Sequence, residues 1–246
     1  YFGKSARVVS PYEAAMLASA AASGAASGAA AGVDSGDPGA QGAWEAAYVA
    51  ALLRAAPERL VGVDLATRDV EGMETVVADV RSLPFADRSF DQVLLVSTLE
   101  HVGADNSLYG VAADPVSDPL ARVAALRELR RVLARAGRLL VTVPLGEPGE
   151  HGWFRQDDVR GWTRLFSRAG LFVEEQEAYV LDEEGWHADP GFRPDGVRYG
   201  ERGPAASAVL CTALSPARGR RLASPDGLVR TARRRIAPTY HRSRRR

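Results

Sequence analysis

One cysteine, one lysine, two methionines and four histidines among 246 residues set the first limits on this chain. Cys211 has no internal disulfide partner, which suits a cytoplasmic protein. His101, His151, His187 and His241 are scattered, and with a single cysteine they form no metal-ligand spacing, so no metal is expected. No run of 18 or more apolar residues occurs, so no membrane span is expected. The alanine-rich stretch near residues 14–32 is broken by glycine and serine and lacks a basic leader, which argues against a signal peptide. A Walker A sequence and a G-x-S-x-G elbow are both missing, which removes P-loop nucleotide hydrolysis and serine-hydrolase chemistry from consideration.

Net charge is also missing, yet the zero hides an asymmetry. Lysine and arginine number 31, as do aspartate and glutamate. Residues 217–246 hold 11 arginines and one acid, Asp226, so the remainder is acidic by about the same margin. The tail shows little hydrophobic periodicity and reads as disordered or only partly helical. Arginine replaces lysine almost everywhere, and with the alanine richness this points to a GC-rich genome rather than to a function. The folded part offers no basic face in sequence, so a nucleic-acid partner rests on the tail alone. Nothing in the sequence sets the oligomeric state.

Three segments are expected. Residues 1–42 contain a short helix behind Pro11, then an Ala/Gly/Ser low-complexity stretch; residues 43–216 form the folded domain; residues 217–246 are the tail. The chain opens on Tyr1, which leaves a missing amino terminus open. Within the domain, residues 43–56 read as a helix with Trp44, Tyr48 and Leu52 on one face. Apolar runs at Leu60–Asp64, Thr75–Asp79, Phe90–Ser97 and Leu139–Val143 are continuous rather than alternating, as strands buried on both faces require. Helices are expected over about Leu120–Ala134 and Asp157–Ala169, the second stopped by Gly170, with last strands at Leu171–Leu181 and Ala205–Leu214. Strands alternating with helices imply a doubly wound parallel sheet.

The stretch from Arg59 to Pro144 carries R-L-V-G-V-D-L, then V-V-A-D-V-R-S-L-P-F-A-D-R-S-F-D-Q-V-L-L-V-S-T-L-E-H-V, then L-R-E-L-R-R-V-L-A-R-A-G-R-L-L-V-T-V-P. It resembles the second half of the nucleotide-binding core of class I S-adenosyl-L-methionine (SAM) dependent methyltransferases of the small-molecule, type 11 kind. The resemblance covers about residues 43–181, more weakly to Leu214. It implies an α/β, doubly wound, mostly parallel seven-stranded sheet of the Rossmann-like methyltransferase fold, with an antiparallel C-terminal strand. It also implies SAM as cofactor and methyl transfer to a small-molecule acceptor.

On that resemblance, Asp64, with Leu65 beside it, would bond the cofactor's ribose hydroxyls at a strand's carboxyl end; a helix-capping acid is the plainer reading of Asp64. Asp79 would accept from the adenine amino group while the amide of Val80 meets the ring; a turn-forming aspartate is the alternative. Ser97 and Thr98 either contact the ligand or cap the next helix. His101 is either a general base or a packed side chain. Glu100, Tyr109, Trp153, Phe154 and Trp186 are candidates for the acceptor pocket, with Trp162 and His187 considered beside them, although aromatic residues are often simply core. Glu128, Arg130 and Arg131 read as structural, and Ala134–Gly137 as a turn that replaces the family's K-P-G-G.

The family's G-x-G-x-G loop is poorly matched. The nearest segment runs from Gly32 to Gly42, with Asp34, Gly36 and Gly39 as cofactor candidates, but its glycines are misspaced and no β-forming run precedes it. Three accounts follow: a divergent working loop, a decayed and catalytically inactive binding or scaffold protein, or a corrupted sequence upstream of about residue 43. A nucleic-acid methyltransferase or binder is a further alternative, carried by the arginine tail.

Overall fold

A computed structural model describes residues 2–4, 58–65, 70–105, 118, 120–183, 185–200 and 206–216. The expected helices behind Pro11 and at 43–56, the glycine segment with Asp34, Gly36 and Gly39, Tyr109, and the arginine tail lie outside the described residues.

The strands are β1 (Phe2–Lys4), β2 (Arg59–Asp64), β3 (Glu74–Val77), β4 (Phe90–Val96), β5 (Leu133–Pro144), β6 (Gly149–Glu150), β7 (Arg155–Gln156), β8 (Phe172–Asp182), β9 (Gly185–Ala188) and β10 (Ala208–Ser215). The helices among the described residues are α1 (Ala121–Val132) and α2 (Val159–Arg168), with a 3₁₀ turn at Leu99–His101. Eight strands form one sheet in the order β3-β2-β1-β4-β5-β10-β8-β9, one more than the seven expected. The extra strand is β9, a short antiparallel addition to the edge of β8. Strands β2, β3, β4, β5 and β8 run in one direction; β1, β9 and β10 oppose them. Strand β10 is the expected antiparallel C-terminal strand, inserted between β5 and β8.

The central position between β2 and β4 is filled by β1, antiparallel to both neighbours, with Phe2 opposite Val61 and Val93. In the expected fold a parallel strand ending in the glycine loop would stand there. No β-forming run precedes that loop in this sequence, and three residues from far upstream occupy the ladder instead.

Apolar residues in the strands divide between two faces with period two. Val61, Val93, Leu95, Leu139, Val141, Val143, Leu210 and Leu214 join the main core. Leu60, Leu94, Leu140 and Ala213 cluster on the opposite face. The main core is closed by Leu126, Leu129 and Val132 from α1 and by Trp162 and Phe166 from α2.

Helix α2 begins where Asp158 accepts a hydrogen bond from the Gly161 amide at 2.6 Å, and it ends at Gly170, whose φ of 75° only glycine adopts cheaply. Asp158→Ala is expected to cost about 1 kcal/mol, seen as a lower denaturant midpoint with an unchanged slope.

The expected turn at Ala134–Gly137 lies instead within β5. Leu133 pairs with Phe90, the next pair is Arg138 with Gln92, and four residues bulge out between. A Cβ on Gly137 would lie 2.8 Å from the Asp91 carbonyl oxygen, so this close approach demands glycine. Glu128 and Arg131 prove structural, as expected. Arg131 binds the Glu128 carboxylate at 2.6 and 2.8 Å and also reaches the carbonyls of Leu83 and Phe85 and the carboxylate of Asp87. Glu128 in turn accepts from the Leu83 amide. Helix α1 thereby staples the L-P-F-A-D loop that follows Asp79.

Candidate active site

The carboxyl ends of β2, β3 and β4 face the same end of the sheet, where open α/β folds bind ligands. Asp64 is the last residue of β2 and is half-buried, while Leu65 beyond it is 47% exposed. The Asp64 carbonyl accepts from the Ala78 amide, which fixes the strand end against β3. Asp79 lies two residues past the end of β3, not on it.

The Asp79 carboxylate is already engaged. It accepts from the Arg81 amide at 2.7 Å and from the Arg81 guanidinium at 2.7 to 3.0 Å, and this pairing holds its pKa below the usual carboxylate range. Before Asp79 could bind an adenine amine, the Arg81 side chain would have to swing away. Val80 is half-buried and packs against the core around Val102 and Ala121.

Past β4 the chain turns sharply. Ser97 has a φ of 42°, an uncommon conformation for a residue with a Cβ, and its amide donates to both oxygens of Thr142. The Thr98 hydroxyl donates to the Val96 carbonyl and makes no cap bond to the 3₁₀ turn. Both residues are exposed.

Glu100 is 2% exposed, and its Oε2 has no hydrogen-bond partner among the described residues. Burial is the main reason that its pKa rises to about 8, with partial relief from a hydrogen bond to its own backbone amide and then from Arg122. Arg122, on α1 and also 2% exposed, donates to the Glu100 backbone carbonyl at 2.9 Å and to the Glu150 carboxylate at 3.3 and 3.4 Å. Arg155 bridges Glu150 and the buried Asp157. Behind the 3₁₀ turn, two guanidinium groups therefore meet two carboxylates, and Glu100 is the surplus acid.

His101 accompanies Glu100, with Nε2 4.0 Å from Glu100 Oε1. Its Nδ1 lies 2.9 Å from the Trp153 carbonyl oxygen. A carbonyl only accepts, so Nδ1 carries the hydrogen and the neutral ring keeps its lone pair on Nε2. Burial lowers the His101 pKa, which favours that neutral form.

Trp153 stacks on His101 with ring centroids 5.2 Å apart. It stands at the tip of the β6–β7 hairpin. Phe154 is buried and touches Trp153, His151 and Tyr199, with centroids 4.4 to 4.6 Å apart. Tyr199 completes the ring cluster; burial and the Glu100 charge raise its pKa.

Of the sequence candidates, Glu100, His101, Trp153 and Phe154 are thus brought together. Trp186 is not: on β9, at the far edge of the sheet, it packs with Tyr179, Val209 and Cys211. His187 beside it pairs with Asp182. Trp162 is core, its indole nitrogen donating to the Pro144 carbonyl. Arg122, Glu150, Arg155 and Tyr199 were not anticipated.

The described donors suit part of SAM. The Asp64 carboxylate can accept from a vicinal diol, and the apolar turn at Leu83, Pro84 and Phe85 offers a wall for a base. The half of the molecule that would meet the glycine segment falls outside the described residues. Among the described residues, no cluster of histidine, cysteine, aspartate or glutamate could hold a metal ion. No helix there is long and apolar enough to cross a membrane.

Comparison with known proteins gives the following. Residues 39–141 match the model of the methyltransferase domain family. Probable tRNA methyltransferase 9B of Mus musculus is 28% identical over 93 residues, and that of Homo sapiens 27% over 107; these stretches cover 38% and 44% of this chain but 18% and 20% of those proteins. The chain thus spans about a fifth of the curated relatives it matches. Among solved structures, the 1,6-didemethyltoxoflavin-N1-methyltransferase of Burkholderia thailandensis, with bound S-adenosylhomocysteine, is 16% identical with a TM-score of 0.46, covering 87% of this chain and 93% of that one. A SAM-dependent methyltransferase of Thermotoga maritima is 19% identical with a TM-score of 0.42, covering 64% and 73%. Residues 39–141 thus carry the match to the type 11 methyltransferase domain, a family whose cofactor is SAM.

Proposed function

We propose that this chain methylates a small-molecule acceptor at the carboxyl end of its sheet. The observation that supports this reading is the convergence of Asp64 at the end of β2 with Glu100 and His101 just past β4. Asp64 would hold the ribose of SAM, and Val80 and the Leu83–Phe85 turn would flank the adenine. Asp79 joins them if Arg81 moves aside. Bound SAM supplies an electrophilic methyl group. The chain's own part is to orient the acceptor, exclude water and receive a proton where the acceptor must lose one. His101 Nε2 is the group suited to that last task. The ring cluster of Trp153, Phe154 and Tyr199 favours a flat or apolar acceptor of modest size. Acceptors in polysaccharide or secondary-metabolite biosynthesis fit this class by analogy alone.

A nucleic-acid acceptor is the second reading, favoured by the tRNA methyltransferase names of the curated relatives. Among the described residues the arginines at the site, Arg81, Arg122 and Arg155, are tied to carboxylates rather than free for phosphates.

Calorimetric titration with SAM and with S-adenosylhomocysteine tests the cofactor site. Micromolar binding is expected, weakened on the order of a hundredfold in Asp64→Ala, since the lost carboxylate would accept two charge-assisted hydrogen bonds. No binding by the folded protein would sink the reading and favour a binding or scaffold role.

A further inference from the structure

Glu100 carries one acid more than its surroundings balance. The charged group acting on it is Arg122 from α1, which is itself paired with Glu150 from β6; Glu150 is shared in turn with Arg155, which also binds Asp157. Those four cancel in pairs, and His101 and Tyr199, the other titratable groups at hand, are neutral near pH 7. An ionised Glu100 would be a buried charge with only partial compensation, and a neutral one leaves Oε2 without a partner among the described residues. Either state is costly in a closed interior. Both costs disappear if a cation sits against Oε2. The residues around the carboxyl group suit one: His101 Nε2, bearing a lone pair, lies 4.0 Å from Oε1, and the His101 ring stacks on Trp153, which adjoins Phe154 and Tyr199. Aromatic faces attract ammonium groups.

We propose that Glu100 is the counter-ion of a protonated amine on the acceptor, seated against the ring cluster of His101, Trp153, Phe154 and Tyr199. This rests on the methyl-transfer reading for the word acceptor, but the amine site itself is independent of the cofactor. On binding, the Glu100 O–H bond breaks, its proton leaves to solvent, and the carboxylate pairs with the ammonium. A nitrogen acceptor must afterwards lose one N–H proton, and the His101 Nε2 lone pair can take it. The acceptor class is therefore an aromatic or apolar primary or secondary amine.

The test is calorimetric titration of the full chain without cofactor, using phenethylamine and the neutral isostere 2-phenylethanol, at about pH 7, in buffers of different ionisation enthalpy. The amine is expected to bind at least about tenfold more tightly than the alcohol, with close to one proton released per site. In Glu100→Gln the amine preference and the proton release should both vanish while the alcohol binds unchanged. The wild-type proton count requires no variant, so a poorly folding Glu100→Gln would not rescue the idea. Equal binding of the two probes, binding without proton release, or no amine binding each overturns it. Because no cofactor is present, failure here is distinguishable from failure of SAM to bind.

Discussion

Trp162→Ala is expected to remove about 3 to 5 kcal/mol of folding stability, the range for truncating a fully buried large aromatic residue. Trp162 is fully buried in the main core between α2 and the sheet. Its indole nitrogen donates to the Pro144 carbonyl at 2.8 Å, so truncation leaves both a cavity and a buried oxygen without its donor. Pro144 ends β5, and Leu145 next to it bridges to Asp157. The loss should therefore also loosen the β6–β7 hairpin that carries Trp153. Trp162→Phe keeps most of the volume and should cost about 1 to 3 kcal/mol, chiefly through the orphaned carbonyl. Chemical denaturation of the two variants checks the ordering; equal losses would mean that the lost ring volume contributes nothing beyond the hydrogen bond that both variants lack.

The second large effect follows pH. Burial lifts the Glu100 pKa from 4.5 to about 8 in the folded chain. The native state therefore holds this proton where the unfolded state has released it. The associated stability is fully present below about pH 4.5 and declines as pH rises to about 8, by roughly 1.4 kcal/mol for each unit within that window. Glu100→Gln cannot ionise and escapes the decline. Its melting temperature should stay near that of the wild type in acid and exceed it increasingly up to about pH 8. Parallel melting curves for the two proteins from pH 5 to 8 would show that Glu100 is not held protonated.

Most of the sheet was legible because its signal is local. Continuous apolar runs gave β2, β4 and β5, and helical spacing gave α1 and α2 to within two residues at each end. The glycine at 170 marked the end of α2 for a reason that needs no tertiary context: a positive φ. Of the candidates named from sequence, those that the structure brings together, Glu100, His101, Trp153 and Phe154, come from the L-E-H segment and the aromatic pair after Gly152. Arg122 looked like one more charged residue on a helix, and nothing nearby in sequence signals its burial. That burial depends on a hairpin some 28 residues downstream, whose Glu150 covers it. Tyr199 was invisible for the same reason. Trp186 was misjudged because aromatic character is shared by pockets and by sheet edges, and sequence alone does not separate them. The place of Phe2–Lys4 in the ladder had no cue, since three residues carry no periodicity.

The central ladder has a consequence for the order of assembly. Strand β1 joins β2 to β4, and its pairing with β4 spans the widest separation in the sheet, with Phe2 paired to Val93. Closing a loop of that length costs on the order of 4 kcal/mol before any pairing repays it. The block from β4 to β10, with α1 and α2, is the natural folding nucleus, and the β2–β3 pair docks late. Asp64 and Asp79 ride on the late block, Glu100 and His101 on the early one. A molecule that touches both would rivet the two blocks together, so ligand occupancy and the integrity of the fold are thermodynamically the same question in this chain.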